Sequence, residues 1–255
     1  VSWKKPRIRL KTAAEIEAMA ESARLLADVF LAIRSLVVPG ATTRAIDAEI
    51  ERLITEAGGV PSFKGYNGFP AASCISVNEE VVHGIPSERQ LLEGDIVGID
   101  IGLCRGGFHV DSAETLPVGR VGERAETLLR VTQEALDLGI EQARTGNRIS
   151  DIGAAVEGHA RRHGFSVVES LVGHGIGRDL HEDPQVPNYR CFTAPDPVME
   201  EGLVIAIEPM INEGTKRVVR GADQWTERTA DRGLSAHFEH TVAVTANGPL
   251  ILTRR

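Results

Sequence analysis

Apolar residues recur at helical spacing near the start of the chain, where Ile16, Met19, Ala20, Ala23, Leu26, Ala27 and Phe30 mark one face of a helix. Thr12, with Glu15 three positions on, reads as its capping box, and Pro39-Gly40 as its stop. A second helix begins near Thr42, buries Ile46, Ile50, Leu53 and Ile54, and closes at Gly58-Gly59; strand-like segments then run to about Val118. The plan repeats, with a helix from about Glu123 to Ala143, Gly146, a helix capped by Ser150 and closed by Gly164, then strands to the end of the sequence. Each half reads helix, helix, strands. The halves also share an echo, Val82-His83-Gly84-Ile85 against Gly173-His174-Gly175-Ile176, of the kind a duplication leaves. The pattern predicts one α+β domain over residues 1–255, with pseudo-repeat halves at about 12–118 and 120–245 and a basic, solvated tail over 1–11. The proline-dotted stretch Pro184 to Pro197 reads as an ordered surface loop.

Composition narrows the class. With 42% apolar and 25% charged residues the chain is of ordinary globular make-up, and no run approaches the roughly 18 apolar residues of a membrane span. The five basic residues between Val1 and Lys11 lead into an amphipathic helix instead of an apolar stretch with a small-residue cleavage site, which argues against a signal peptide. Cys74, Cys104 and Cys191 form no close pair, which suits a reducing compartment and excludes a Cys-x-x-Cys zinc site. A cytoplasmic location follows as the expectation. The net charge of −8 argues against nucleic acid as a ligand.

From Ile96 to Leu103 the pattern alternates, with Val97, Ile99, Ile101 and Leu103 on one side and Gly98, Asp100 and Gly102 on the other. A two-residue hairpin loop at Arg105-Gly106 would pair Cys104 with Gly107 and, working outward, set Asp100 directly opposite Asp111. Opposed carboxylates about 4.5–5.5 Å apart at Cβ repel unless a proton or a cation lies between them. Three readings are open: an acid dyad, a pair of metal ligands, or a solvated hairpin whose aspartates splay into water. The supply of further ligands favours metal. The apolar run Leu203 to Ile207 delivers Glu208, and the strand pattern Phe238 to Val244 carries Glu239, so four carboxylates sit on or beside core-like strands. His174, among Gly173, Gly175 and Gly177, adds an imidazole; a nucleotide loop would need a helix after these glycines, whereas Pro184 and Pro187 follow. Four carboxylates and one imidazole make an oxygen-rich site with more charge than one divalent ion needs, which suggests two.

These segments together resemble the type I methionine aminopeptidases. The resemblance runs from about Thr12 to Thr245 through Cys74-Ile75-Ser76-Val77-Asn78, Val82-His83-Gly84-Ile85-Pro86, the Asp100/Asp111 hairpin, Gly173-His174-Gly175-Ile176-Gly177-Arg178 with His181-Glu182, Glu208-Pro209-Met210 and Phe238-Glu239-His240-Thr241. It implies the pita-bread fold, two related halves of helices and antiparallel strands around a dinuclear site. It implies that Asp100 binds one ion, His174 and Glu208 the other, and that Asp111 and Glu239 bridge; the ions are two of manganese, iron, cobalt or zinc. The implied activity is removal of the initiator methionine from nascent polypeptides when the second residue is small, by a metal-activated water. Glu208 is the implied proton acceptor, His181 the hydrogen-bond donor to the developing oxyanion, and His83 the partner of the scissile amide or product amine. Tyr66, Phe69, Cys74, Leu180 and Trp225 match the apolar methionine pocket, with Leu180 and Phe69 standing where many relatives carry an aromatic residue and a tyrosine. His109, His159 and His163 keep a structural reading, and His240, adjoining Glu239, points to the other strand face. A monomer with transient ribosome contact and no membrane partner is expected.

Three other readings are weaker. X-Pro aminopeptidases and prolidases generally carry a further N-terminal domain, and type II methionine aminopeptidases a helical insertion for which the 31 residues from Glu208 to Glu239 leave no room. Non-catalytic relatives lose metal ligands, and all five stand here.

Overall fold

The computed structural model describes residues 6–193 and 195–254. Helix α1 (Ala13–Ile33) starts where the capping box predicts: Thr12 accepts from the Glu15 amide and the Glu15 carboxylate from the Thr12 amide. It ends earlier than the Pro39-Gly40 signal, passing into a 3₁₀ turn at Arg34–Leu36. Helix α2 (Thr43–Glu56) is capped by Thr42 and buries Ile46, Ile50 and Ile54, while Leu53 is only half-buried. Four strands precede the long hairpin of the first half or begin it: β1 (Val60–Pro61), β2 (Cys74–Val77), β3 (Glu80–Val82) and β4 (Ile96–Arg105), which turns back as β5 (Phe108–Pro117).

The second half opens with α3 (Glu123–Glu141) and α4 (Ile149–Arg162). Ser150 does not cap α4 as expected; the N-cap is Arg148, whose amide donates to Asp151 at 2.8 Å, while the Ser150 amide and hydroxyl are both taken by Asp196. Then come β6 (Ser166–Val167), β7 (Gly173–Gly175), β8 (Glu182–Val186), β9 (Val204–Ile207), β10 (Met210–Asn212), β11 (Val218–Arg220), β12 (Glu227–Thr229), β13 (Ser235–His237), β14 (Glu239–Thr245) and β15 (Gly248–Ile251). The expected loop from Pro184 to Pro197 is therefore a strand at its start, because β8 pairs with β7 there.

The main sheet runs β1-β4-β5-β14-β9-β7-β8, with β2 added on β4 and β15 on β14; β13-β10-β6 and β11-β12-β3 form two small sheets. On β4 the aliphatic side, Val97, Ile99, Ile101 and Leu103, packs into one core with α1 and α2, and Ile205, Ile207, Val242 and Val244 pack into a second with α3 and α4. Strand alternation then turns Asp100, Asp111 and Glu239 to the other face. The α+β expectation holds.

Two expectations need correction. The hairpin loop is Gly106-Gly107, with Arg105 opposite Phe108, so Asp100 faces Ala113 and Asp111 faces Gly102. Both loop residues have positive φ, +60° and +80°, as a tight hairpin turn requires at its two central positions; Arg105 at such a position would be strained. The aspartates are diagonal neighbours on one face, not directly opposed. Of the basic tail, residues 1–5 lie outside the described residues, and Lys11 is not solvated: its side chain is 3% exposed and pairs with Glu182 at 2.7 Å. No helix among the described residues is long and apolar enough to cross a membrane.

Candidate metal centre

The seam between the halves is short in backbone pairing and rich in side-chain bonds. Strands β5 and β14 share only the register pairs Ala113–Glu239 and Ser112–His240. The Thr241 hydroxyl accepts from the Asp111 amide at 2.9 Å and donates to its carbonyl at 2.8 Å, and the Ser112 hydroxyl donates to the Glu239 carbonyl at 2.7 Å. Asp111 and Glu239 are thereby fixed side by side, 3% and 2% exposed. His174, on β7 opposite Ala206, joins them: one ligand atom from each of Asp111, His174 and Glu239 lies within 4.8 Å of the others. Asp100 lines the same cavity as Asp111, and Glu208, just past β9, brings Oε1 to 3.6 Å from His174 Nε2. All five predicted ligands thus meet in one place.

Glycines make the close approach possible. A Cβ at Gly175 would fall 2.2 Å from the Asp183 carbonyl oxygen, and one at Gly84, the matching place in the echo, 2.2 Å from that of Ile75. The His174 Nδ1 atom lies 2.9 Å from the Gly175 carbonyl, which only accepts, so Nδ1 carries the proton and Nε2 offers its lone pair to the site. Burial holds the His174 imidazole neutral, with its pKa lowered to about 3, as a ligand requires.

The carboxyls tell the complementary story. Burial pushes Asp100 and Glu208 well above the usual carboxylate range, with the neighbouring Asp111 charge adding to it, and pushes Asp111 up to about 7. Asp100 Oδ1 is buried with no hydrogen-bond partner. An oxygen left so, among acids that cannot all ionise together, fits a cation, and a donor set of four carboxylates and one imidazole fits divalent transition ions.

A cavity of about 180 Å³ opens onto these five residues and is lined as well by Tyr66, Phe69, Cys74, His83, Leu180, His181 and Trp225, so every residue that the sequence assigned to the site faces one space. Phe69 meets Trp225 edge to face at 5.2 Å, and the thiol of Cys74 is held protonated by burial and by the Asp100 charge. The His181 ring lies 4.2 Å from that of His174 between centroids, tilted by 54°, and its Nδ1 is 2.8 Å from the Tyr66 hydroxyl. His83 has φ +59° and a pKa lowered by burial.

Sequence reasoning missed three neighbours. Phe63 and Asn67 line the cavity, and Phe63 packs where a Cβ on Gly102 would come within 2.6 Å of its ring, a contact that nothing in the local pattern announces. His237 Nε2, buried with no hydrogen-bond partner, lies 3.9 Å from Glu208 Oε2; standing two residues before Glu239, it shares that residue's strand parity, which was the available signal. His109 and His240 stay outside the cavity, bonded to Ser62 and Thr253.

Comparison with known proteins places the chain in a family. The profile described as metallopeptidase family M24 matches residues 17–246. The methionine aminopeptidase of Clostridium perfringens is 48% identical over 248 residues, covering 96% of this chain and 98% of the relative. The crystal structure of methionine aminopeptidase from Thermotoga maritima superposes with a TM-score of 0.94 at 42% identity over 97% of this chain and 100% of that one. Prolidase from Pyrococcus furiosus, at 23% identity and TM-score 0.77, covers 96% of this chain and 65% of its own and shares the fold alone.

Proposed function

We infer the reaction from one premise: the chain belongs to metallopeptidase family M24, and within it to the methionine aminopeptidases. It removes an N-terminal methionine by hydrolysis. The observation that carries the reading is the convergence of five ligand candidates with an apolar cavity beside them. In our reading Asp100, Asp111, His174, Glu208 and Glu239 would hold two divalent ions, with Asp111 and Glu239 the carboxylates that would serve both. When bound, such ions make water nucleophilic at neutral pH and compensate developing negative charge.

The remaining steps belong to the chain's own side chains. The methionine side chain, soft and unbranched, fills the space walled by Tyr66, Phe69, Cys74, Leu180 and Trp225. Glu208, which lines the cavity beside His174, would take the proton of the attacking water. His181 Nδ1 pairs with the Tyr66 hydroxyl; in our reading the phenol donates, which leaves the imidazole proton on Nε2 to be given to the peptide oxygen as it turns negative. His83, neutral in its buried position, bonds the scissile amide and then the released amine.

The further reading is that the physiological substrates are initiator methionines of nascent chains with a small second residue, met by a cytoplasmic monomer near the ribosome. One assay tests it: methionine release from Met-Ala-Ser, Met-Leu-Ser and Ala-Pro peptides after metal removal and re-addition of manganese, iron, cobalt or zinc. Release from Met-Ala-Ser alone, restored by metal, is the expected result. Equal rates on all methionyl peptides would leave a general aminopeptidase, and Ala-Pro cleavage would point to the proline-directed branch.

A further inference from the structure

Away from the cavity, α3 and α4 bring together a second set of ligand-type side chains. Glu134 projects from α3; His159 on α4 and His163 at its C-cap are four residues apart, the spacing that puts two side chains on one helix face. The two imidazole rings lie 4.5 Å apart between centroids, and one ligand atom from each of the three residues lies within 4.8 Å of the others. None of the three lines the cavity already described.

The protons of this cluster can be assigned. The Arg162 guanidinium approaches His159 Nδ1 at 3.4 Å and can only donate, so His159 carries its proton on Nε2 and gives it to Glu134 Oε2 at 2.8 Å. His163 Nδ1 lies 3.1 Å from the His159 carbonyl oxygen, which only accepts, so its Nε2 holds a lone pair. Arg130 binds the other carboxylate oxygen of Glu134, Oε1, at 2.8 Å and leaves Oε2 to the histidines. One oxygen anion, one imidazole lone pair and one shared proton therefore belong to one cluster, in a place where the His159 side chain is only 12% exposed.

We propose that Glu134, His159 and His163 form a second metal site, which takes a divalent ion of the zinc class in place of the proton shared by His159 and Glu134. The ion bonds His159 Nε2, His163 Nε2 and Glu134 Oε2, the displaced proton leaves to solvent, and a water completes four-coordination. Two imidazoles to one carboxylate select zinc, cobalt, nickel or copper over magnesium and calcium. Ligand bonds of about 2.0–2.2 Å at a tetrahedral angle ask the His159–Glu134 pair to open by about half an ångström, a small movement for the half-exposed Glu134 side chain. The consequence is a clasp between α3 and α4: the ion binds only when both helices are folded against each other, so it raises the resistance of this helix pair to unfolding. The flanking Arg130 and Arg162 charges make the site weaker than the buried centre.

The test is a zinc titration of the metal-free full chain, with bound metal counted by mass spectrometry after gel filtration, beside His163→Ala and Glu134→Gln. Wild type should bind one equivalent more than either variant, whatever number the buried centre holds, and should gain more in melting temperature from zinc than they do. Glu134→Gln keeps the surface shape of α3, so a folding defect in His163→Ala leaves the comparison intact. Equal equivalents in all three proteins, or an extra equivalent that survives both substitutions, would overturn the assignment.

Discussion

The two halves of the molecule supply the proposed ligands to one site but hold them by different means. The first half presents Asp100 and Asp111 on a single hairpin of two ten-residue strands, where ten register pairs fix their positions through the backbone. The second half presents His174, Glu208 and Glu239 from β7, the end of β9 and the start of β14, strands of three, four and seven residues. Short strands offer few ladder bonds, and there side chains take over: Thr241 and Ser112 across the seam, Asn188 donating to the Glu208 carbonyl at 3.0 Å, and Lys11 paired with Glu182 beside His181. Precision comes from the ladder where pairing is long and from individual hydrogen bonds where it is short. Substitutions that spare the ligands should therefore harm the second half more.

The hardest test of the first half is Asp111→Asn, which should abolish turnover and lower the bound metal, since an amide supplies no charge to the ions. Full metal occupancy with near-normal turnover would overturn the proposed bridging role of Asp111. In the second half His174→Ala should likewise lose metal, whereas His181→Ala should keep it while kcat falls by about 10²–10³ and KM changes little. Metal analysis beside steady-state kinetics separates the two, and parallel loss of metal would make His181 a ligand.

Side-chain bracing predicts smaller effects. Lys11→Met leaves Glu182, 5% exposed in its side chain, without its ammonium partner and should cost about 3 kcal/mol in denaturant unfolding. Burial raises the Glu182 carboxyl, but the Lys11 ammonium and the amides of Asp179 and Arg178 more than offset it, so the folded pKa lies below the ordinary value of 4.5. A lowered carboxylate pKa stabilises fully above the unfolded value, and that stability is lost as pH falls through the folded one. The Lys11→Met deficit should accordingly be largest near neutral pH and shrink below about pH 4.5. A pH-independent deficit would assign it to packing. Thr241→Val keeps the shape of the seam but leaves the Asp111 amide buried without its acceptor, at about 2 kcal/mol by the same measurement. A change below about 0.5 kcal/mol would show that the hairpin ladder holds Asp111 by itself.

The same contrast explains what was legible in the sequence. Alternation over Ile96 to Leu103 was long enough to fix which face Asp100 takes, and the ligands of the second half stood out because acidic residues ended or began apolar runs. The register of the hairpin was not readable to one residue, since Arg105-Gly106 and Gly106-Gly107 both look like tight turns and only backbone dihedrals decide between them. Lys11 looked like a tail residue because its partner is 171 positions away. Long-range pairs of this kind leave no local periodicity. Phe63 was missed for the same reason, being placed against Gly102, whereas His237 had a local signal in its parity with Glu239.

The seam also orders events in time. Asp111 and Thr241 lie 130 positions apart, so joining them closes a very long loop, and contacts of that span form after the local helices have collapsed. A chain halted after the first hairpin carries Asp100 and Asp111 but none of the ligands that follow. On refolding from denaturant, the far-ultraviolet helical signal should return ahead of manganese uptake followed with a metal indicator. Simultaneous recovery would mean that the seam closes as early as the helices form. Affinity for the ions thus belongs only to a molecule whose two ends have already found each other.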